Sequence, residues 1–88
     1  MDYEIILSHE ADHFLIKLSK KDKKTLIKLW QCIDEIKNNP YNSEQLKGYF
    51  KGARKKRKGS YRIIFDINNE SFKIIILRIG KRETVYKR

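Results

Sequence analysis

The sequence contains little cysteine and little histidine. Its single cysteine, Cys32, excludes an internal disulfide. Together with His9 and His13 it offers neither the number nor the spacing of ligands that a zinc site needs. We therefore expect no metal ion and no cofactor, so the fold must be held by an apolar core.

A long apolar run and an N-terminal targeting pattern are also lacking. No segment approaches the roughly 20 apolar residues of a membrane helix. Residues 1–20 contain four carboxylates, which is unlike a signal peptide. Apolar residues still make up 40% of the 88 residues and aromatic residues 11%, which argues against disorder. The sequence thus predicts one soluble, cytoplasmic domain over residues 1–88, with no membrane partner.

Negative charge is scarce in the second half of the chain. Residues 1–44 contain seven basic and eight acidic side chains, whereas residues 45–88 contain fourteen basic and three acidic ones. Between Gln45 and Arg62 there are eight basic residues and no acidic one. Like charges at this density repel one another and favour a polyanionic partner such as nucleic acid.

Proline and glycine are few, and they fall where regular elements should end. Alternation predicts a first strand over residues 3–7, and Ser8 is a suitable N-cap for the helix that follows. Ser19 and Asp22 resemble a capping box that opens a second helix. Pro40 ends this helix, because proline disfavours helical geometry in the residue before it. The apolar stripe of the second helix comprises Leu26, Leu29, Trp30, Ile33 and Ile36.

The second half has the pattern of strands separated by short turns. Residues 54–58, 61–66 and 72–79 predict three strands, with turns at Gly59-Ser60 and Asn68-Asn69. Residues 84–86 predict a short closing strand. The order β-α-α-β-β-β, with this additional last strand, predicts an α+β fold. In it two helices pack on one face of a small, mostly antiparallel sheet, and the other face is left for a ligand.

Residues outside the basic half are poor candidates for catalysis. His9 and His13 lie four residues apart on the first predicted helix, far in sequence from the basic segment, and are interpreted as surface or partly packed side chains. Cys32 and Trp30 are interpreted as core residues of the second helix, since nothing in the sequence around Cys32 would activate its thiol.

The basic half contains side chains that suit an RNA phosphate. Strand alternation places Lys55 and Arg57 on one face, near Arg62 beyond the predicted turn. Arginine binds phosphate through paired hydrogen bonds, a lysine can act as a general base, and tyrosine can stack on a base. Such a set could cleave RNA by attack of its own 2′-hydroxyl on the phosphate, or it could only hold the RNA backbone. The candidates are Lys55, Arg57, Arg62, Arg82 and Tyr86.

Four short motifs occur in an order that resembles the RelE/ParE toxin superfamily. They are Asn39-Pro40-Tyr41, Leu46-Lys47-Gly48, Gly59-Ser60-Tyr61-Arg62 and Ile79-Gly80-Lys81-Arg82-Glu83-Thr84-Val85-Tyr86. The resemblance covers nearly the whole chain and implies a microbial-ribonuclease-like domain. For a RelE-type member it implies a messenger-RNA interferase that cuts mRNA in the ribosomal A site. It also implies a cognate, RelB-like antitoxin that inhibits the toxin in a hetero-oligomer.

The resemblance further implies roles for individual residues. Lys55 and Arg57 match the basic pair that supplies a base and phosphate ligands, and Arg62 matches a stabiliser of the transition state. Arg82 would contact the phosphate or protonate the leaving 5′-oxygen. Tyr86 would stack on the target base or assist proton transfer.

The strand before the turn departs from the family pattern, because residues 54–58 are all basic and include no apolar residue. The register therefore stays open, since a shift of one residue would present the other set of side chains to the RNA. Lys81 stands where many relatives have a histidine, which favours lysine and arginine chemistry. The residues expected to bind RNA or the ribosome are Lys47, Lys51, Arg54, Lys56, Lys58 and Lys81.

Two other functions are compatible with these residues. A ParE-like member would poison DNA gyrase and cut nothing itself. A plain RNA- or ribosome-binding module would use the same residues only to bind. The presence of a full candidate set for cleavage favours the interferase.

Overall fold

The helices and strands follow the predicted order, with one additional short strand. A computed structural model describes residues 2–48 and 52–85, apart from the side chain of Glu83. The elements are β1 (Glu4–Leu7), α1 (His9–Lys21), α2 (Lys23–Asn38), β2 (Glu44–Gln45), β3 (Arg54–Lys58), β4 (Tyr61–Asn68), β5 (Lys73–Lys81) and α3 (Arg82–Val85). The predicted α+β class is confirmed. The two-residue strand β2 was not predicted, and α3 lies where the closing strand was expected, so that expectation was wrong for the part described.

The strands form one five-stranded sheet in the order β1-β5-β4-β3-β2. The β1–β5 pair is parallel, and the other three pairs are antiparallel. Parallel neighbours need a long crossover connection, and here the connection includes α1 and α2, which pack on one face of the sheet. The mostly antiparallel sheet with two helices on one face is therefore confirmed.

Each long helix begins at a polar cap. Ser8 Oγ accepts a hydrogen bond from the Ala11 N–H at 3.0 Å, as predicted. The predicted capping box at Ser19 is wrong, because α1 continues through that position and the Ser19 hydroxyl donates to a carbonyl one turn earlier. Asp22 alone caps α2, accepting from the N–H and the hydroxyl of Thr25. These two hydrogen bonds hold the pKa of the Asp22 carboxyl below its usual range.

The main core fills the space between the helices and the sheet. Cys32 is fully buried there, and burial raises the pKa of its thiol, so the interpretation of Cys32 as a packing residue is confirmed. Trp30 is 43% exposed, so its assignment to the core was wrong. Leu29, Ile33 and Ile36 fill the buried face of α2, and Trp30 lies to one side of them. The buried members are Ala11, Leu15, Leu29, Cys32, Ile33, Ile36, Ile63, Phe65, Ile74, Ile76 and Ile79.

No described helix is long and apolar enough to cross a membrane.

A second, smaller apolar cluster lies on the opposite face of the sheet. It consists of Ala53, Ile64 and Val85, with Leu46 and Leu77 packed against it. The β4–β5 pairing shifts register between Ile64 and Phe65, which places an extra residue of β5 on this face. The centre of β4 is thus covered on both faces, and this cluster supports the surface on which the candidate site lies.

Of the two predicted turns, the one at Gly59-Ser60 is confirmed and the one at Asn68-Asn69 is wrong. Gly59 opens the β3–β4 hairpin at a φ of 59°, which confirms the predicted glycine turn. The predicted tight turn at Asn68-Asn69 is wrong. Asn68 Oδ1 instead accepts from the N–H groups of Glu70 and Ser71, and the left-handed residue of this longer turn is Phe72, at a φ of 54°.

Candidate functional site

The pleat of β3 divides its five basic residues between two faces. Lys55 and Arg57 line a cleft on the face away from the long helices. Alternation turns Arg54, Lys56 and Lys58 toward the other face, where Lys58 Nζ lies 3.8 Å from Glu35 of α2. The register that the sequence left open is therefore the one that places Lys55 and Arg57 together.

Four predicted site residues meet in this cleft, which has a volume of about 340 Å³. Arg57 and Arg62 are direct cross-strand partners on β3 and β4. Arg82 begins α3, and its backbone N–H donates to Ser60 O at 3.3 Å, so the hairpin turn holds it next to the strands. The lining residues are Leu46, Lys55, Arg57, Arg62 and Arg82.

Arg62 is the most buried of these cations, with 8% of its surface exposed. Its Nη1 donates to Gly59 O at 3.2 Å and to Tyr61 O at 3.0 Å. No carboxylate of the described residues forms an ion pair with it. A guanidinium keeps its proton in proteins, so this buried charge is compensated by turn carbonyls and would gain further from an anion in the cleft.

Glu44 is a member of the site that the sequence analysis missed. It pairs with Lys55 across the β2–β3 ladder, and its Oε2 lies 3.5 Å from Lys55 Nζ. The Glu44 side chain is 69% exposed, so its carboxylate is reachable from solvent. Glu44 directly precedes the basic segment, and that position was the available signal. A carboxylate at this place adds a group that can accept a proton.

Arg54 fixes the loop that leads into β2. Its Nε donates to Ser43 Oγ at 2.7 Å, and its Nη2 donates to Ser43 O at 2.8 Å. The guanidinium also lies over the ring of Tyr41, 5.3 Å from the ring centre. Lys56 Nζ donates to Asn42 O at 3.0 Å, in the same loop. On the helix side of β3, cations that contact carbonyl oxygens and Glu35 thus replace the usual apolar side chains.

Residues 5–86 match the family described as the ParE toxin of type II toxin–antitoxin systems. The chain belongs to the RelE/ParE toxin superfamily. It is 26% identical over 87 residues to the protein named RelE4 of Methanocaldococcus jannaschii, covering 98% of this chain and 93% of that one. The sequence resemblance to the superfamily is confirmed.

Solved structures of the superfamily share the fold. A chain of the RelBE2 toxin–antitoxin complex of Mycobacterium tuberculosis superposes with a TM-score of 0.80 at 23% identity, covering 93% of this chain and 100% of that chain. A chain of the YoeB–YefM complex of Staphylococcus aureus superposes with a TM-score of 0.76 at 18% identity, over 93% and 99%. A chain of the archaeal RelE–RelB complex of Pyrococcus horikoshii gives 0.74 at 20%, over 97% and 100%.

The remaining predicted residues of this RelE/ParE toxin that the structure describes lie outside the cleft. Lys47 is exposed just beyond β2, and Lys81 lies on the helix side of the sheet, opposite Tyr61. Lys51 and Tyr86 lie outside the described residues. The predicted contacts of Lys47, Lys81 and the three helix-side cations of β3 with RNA stay predictions. Within the described part of the chain, no group of three or more metal-ligating side chains comes together.

Replacing Arg54 by glutamine should loosen the loop that carries Glu44. The change removes a cation that anchors Ser43 and Tyr41, and we expect a loss of about 1–2 kcal/mol in the free energy of unfolding. Amide hydrogen exchange should report it directly. The Leu46 N–H, which donates to Ala53 O at 2.9 Å beside β2, should exchange faster than in the unchanged protein.

Lys56→Gln is the matched control for this change. It removes a cation of the same face that makes a single contact with the same loop, so its effect on Leu46 exchange should be smaller. Equal exchange rates at Leu46 in Arg54→Gln and the unchanged protein would contradict the anchoring role of Arg54.

Proposed function

We propose that this chain is a RelE-type toxin, a ribosome-dependent endoribonuclease that cleaves mRNA in the ribosomal A site and so inhibits translation. The observation that carries this proposal is the convergence of three guanidinium groups and one ammonium group on one cleft. Such a set can neutralise the extra negative charge of a phosphate under attack. The Glu44 carboxylate beside the cleft can take part in proton transfer.

The reaction divides among these residues as follows. The RNA's 2′-hydroxyl loses its proton and attacks the adjacent phosphorus, and the bond to the 5′-oxygen breaks. The leaving 5′-oxygen takes up a proton, which Arg82 or water would supply, and the products are a 2′,3′-cyclic phosphate and a 5′-hydroxyl end. Either the Glu44 carboxylate or Lys55, as a neutral amine once its proton has passed to Glu44 or to water, would accept the 2′ proton, because arginine holds its proton too tightly to act as a base.

The arginines stabilise charge in this mechanism. Arg57 and Arg62, paired across the two strands, would bind the non-bridging phosphate oxygens. Arg82 approaches from α3 and would contact the phosphate or the leaving 5′-oxygen. Tyr86 would stack on the target base, as the family resemblance implies. Since Arg62 is already desolvated and held by the turn, little reorganisation is needed when charge develops.

The proposal includes an antitoxin. The RelBE2, YoeB–YefM and archaeal RelE–RelB structures are toxin–antitoxin complexes, and the shared fold supports a RelB-like antitoxin that forms a hetero-oligomer with this chain. The strongly basic second half favours an acidic or amphipathic partner segment. Ribosome, mRNA and antitoxin all place the proposed activity in the cytoplasm.

A gyrase poison is the second candidate function. The family description, which names ParE, favours it. A gyrase poison has no need of a phosphate-cleaving set, so the described cleft favours RNA cleavage. The two functions make opposite predictions in a purified translation system, where a gyrase poison should leave the message intact.

The decisive experiment compares the unchanged toxin with Arg82→Ala by primer extension on a defined message. We expect ribosome-dependent cuts at the A-site codon, reduced about 100-fold or more by the change, because Arg82 would stabilise charge mainly in the transition state. Ribosome binding should stay close to normal, and Lys24→Ala, an exposed cation on α2, should cleave normally.

One result would contradict the proposed function, and another would contradict the role of Arg82. The first is an intact message together with growth arrest in cells, which would direct attention to gyrase and to a supercoiling assay. The second is cleavage by Arg82→Ala at the normal rate, which would remove Arg82 from the reaction.

A further inference from the structure

A groove on the helix side of the sheet lies directly behind the cleft. It has a volume of about 280 Å³ and an aromatic floor, where the rings of Phe14 and Tyr61 meet edge to face with their centres 6.1 Å apart. Both rings are half-buried and line the groove with one side. The lining residues of this lysine groove are Phe14, Lys17, Leu18, Lys21, Tyr61, Lys81 and Thr84.

The described side chains that line the lysine groove have charge of one sign. Lys17, Lys21 and Lys81 approach it from α1 and from the end of β5, and no carboxylate is among these lining side chains. In the described part of the chain none of the three lysines forms an ion pair with a carboxylate. Carboxylates do occur nearby on α1 and at its end: Glu10 and Asp12 in the first turn, and Asp22 directly after Lys21. Arg78 Nε lies 3.2 Å from Glu10 and offsets its charge, and Asp22 accepts hydrogen bonds from Thr25. The lysine groove therefore suits an anionic ligand with an apolar, flat part.

The position of the groove connects it to the candidate site. Tyr61 and Arg62 are consecutive residues of β4, so they face opposite sides of the sheet. Lys81, the cross-strand partner of Tyr61, is followed at once by Arg82. The groove and the cleft thus lie back to back at the same end of the β4–β5 pair. For a phosphate bound at Arg62 and Arg82, a neighbouring nucleotide would be the part of the strand nearest to Tyr61 and Lys81.

We propose that the lysine groove binds a nucleotide that neighbours the cleaved phosphate on the same RNA strand. The base stacks on Phe14 and Tyr61, and Lys17, Lys21 and Lys81 bind the flanking phosphates. An acidic peptide helix fits less well, because its apolar anchors repeat at i, i+3, i+4 and i+7, whereas the apolar part of this groove is the Phe14–Tyr61 pair and Leu18. The proposal deepens the proposed function and rests on it for the identity of the strand.

Photo-crosslinking tests the groove. The RNA is tested both as a message on the ribosome and as the same oligonucleotide free in solution. In both forms a 2′-O-methyl group at the target nucleotide blocks cleavage. 4-Thiouridine is placed at successive neighbouring positions. We expect one position to crosslink to Phe14 or Tyr61, as mapped by mass spectrometry of the toxin. Crosslinks of these residues to ribosomal RNA alone, or their displacement only by an acidic peptide, would overturn the proposal.

Charge-reversing substitutions compare lysines inside the groove with lysines outside it. The double change Lys17→Glu and Lys21→Glu alters groove residues, whereas Lys20→Glu and Lys24→Glu gives the same net charge on exposed positions outside the groove. The first pair should weaken RNA binding at least tenfold and flatten its salt dependence, and the second should change both much less. Phe14→Leu, which keeps an apolar side chain, should weaken binding about tenfold through lost stacking.

The results separate this inference from the proposed function. If the message is cut normally but no position crosslinks to the groove, and both charge-reversed pairs bind alike, the groove proposal fails and the cleavage proposal stands. If the RNA crosslinks to Phe14 or Tyr61 but is never cut in its unmodified form, the cleavage proposal fails and the groove still binds RNA.

Discussion

Arg62→Lys should lower the rate of RNA cleavage about 10²–10³-fold, the loss typical when a fixed donor to a developing oxyanion is removed. Lysine keeps the positive charge but is a single point donor, whereas the guanidinium can bind two oxygens at once. In the structure, Nη1 is already used by Gly59 O and Tyr61 O, and in the described residues Nε and Nη2 donate to no protein group. Those two donors are the ones that a phosphate would take.

Single-turnover cleavage on programmed ribosomes measures this effect, because it isolates the chemical step from product release. Arg57→Lys is the control. Arg57 lies opposite Arg62 but is exposed, so water competes for its charge and its replacement should cost roughly tenfold or less. A thermal melt of Arg62→Lys must show a folded protein. Equal losses for the two changes would contradict the special role assigned to the buried guanidinium.

Phe65→Ala should remove a large part of the free energy of unfolding. Phe65 is fully buried between the sheet and the helices, and a change of this kind costs about 3–5 kcal/mol, through lost apolar burial and the cavity left behind. Small domains have about 5–15 kcal/mol in total. Urea unfolding followed by circular dichroism should show a much lower midpoint with a similar slope.

Trp30→Ala serves as the matched aromatic deletion for Phe65→Ala. Trp30 is 43% exposed, so less apolar area returns to water on unfolding and no closed cavity forms. Its cost should be below about 1.5 kcal/mol. If Trp30→Ala destabilised the protein as much as Phe65→Ala, the tryptophan would have to be a core residue after all.

The fold could be predicted because its signals are local and repeated. Ser8, the apolar stripe of α2 and Gly59 each predict an element boundary or a buried face from a few neighbouring residues. The predictions were wrong where two local structures fit the same sequence pattern equally well. In those places contacts with residues distant in sequence decide which structure forms. Ser19 satisfies a capping pattern but donates within α1. Trp30 continues a helical stripe, but the sheet covers only the side occupied by Leu29 and Ile33.

The cations of the candidate site could be predicted from the sequence, but the residues that surround and anchor them could not. Strand alternation brought Lys55 and Arg57 together near Arg62, and the family resemblance assigned roles to these residues and to Arg82. Glu44 was missed because a two-residue strand leaves almost no periodic signal. The hydrogen bonds of Arg54 to Ser43 depend on the course of the loop before β2, which no sequence pattern predicts.

The all-basic strand β3 has a consequence for how this toxin can tolerate insertions and deletions. In most sheets a slipped strand exposes apolar side chains, and the hydrophobic penalty corrects the slip. In β3 the same slip would present Arg54, Lys56 and Lys58 to the cleft with no such penalty. Among the described residues, the two alignments differ in the partners of these cations, Ser43, Asn42 and Glu35. They also differ in the Glu44–Lys55 pair, in the burial of Ala53 and in the Gly59 turn. A single-residue deletion within β3 is therefore expected to leave a folded, equally basic protein whose cations are misplaced, one that looks intact by charge and by spectroscopy and has lost its chemistry.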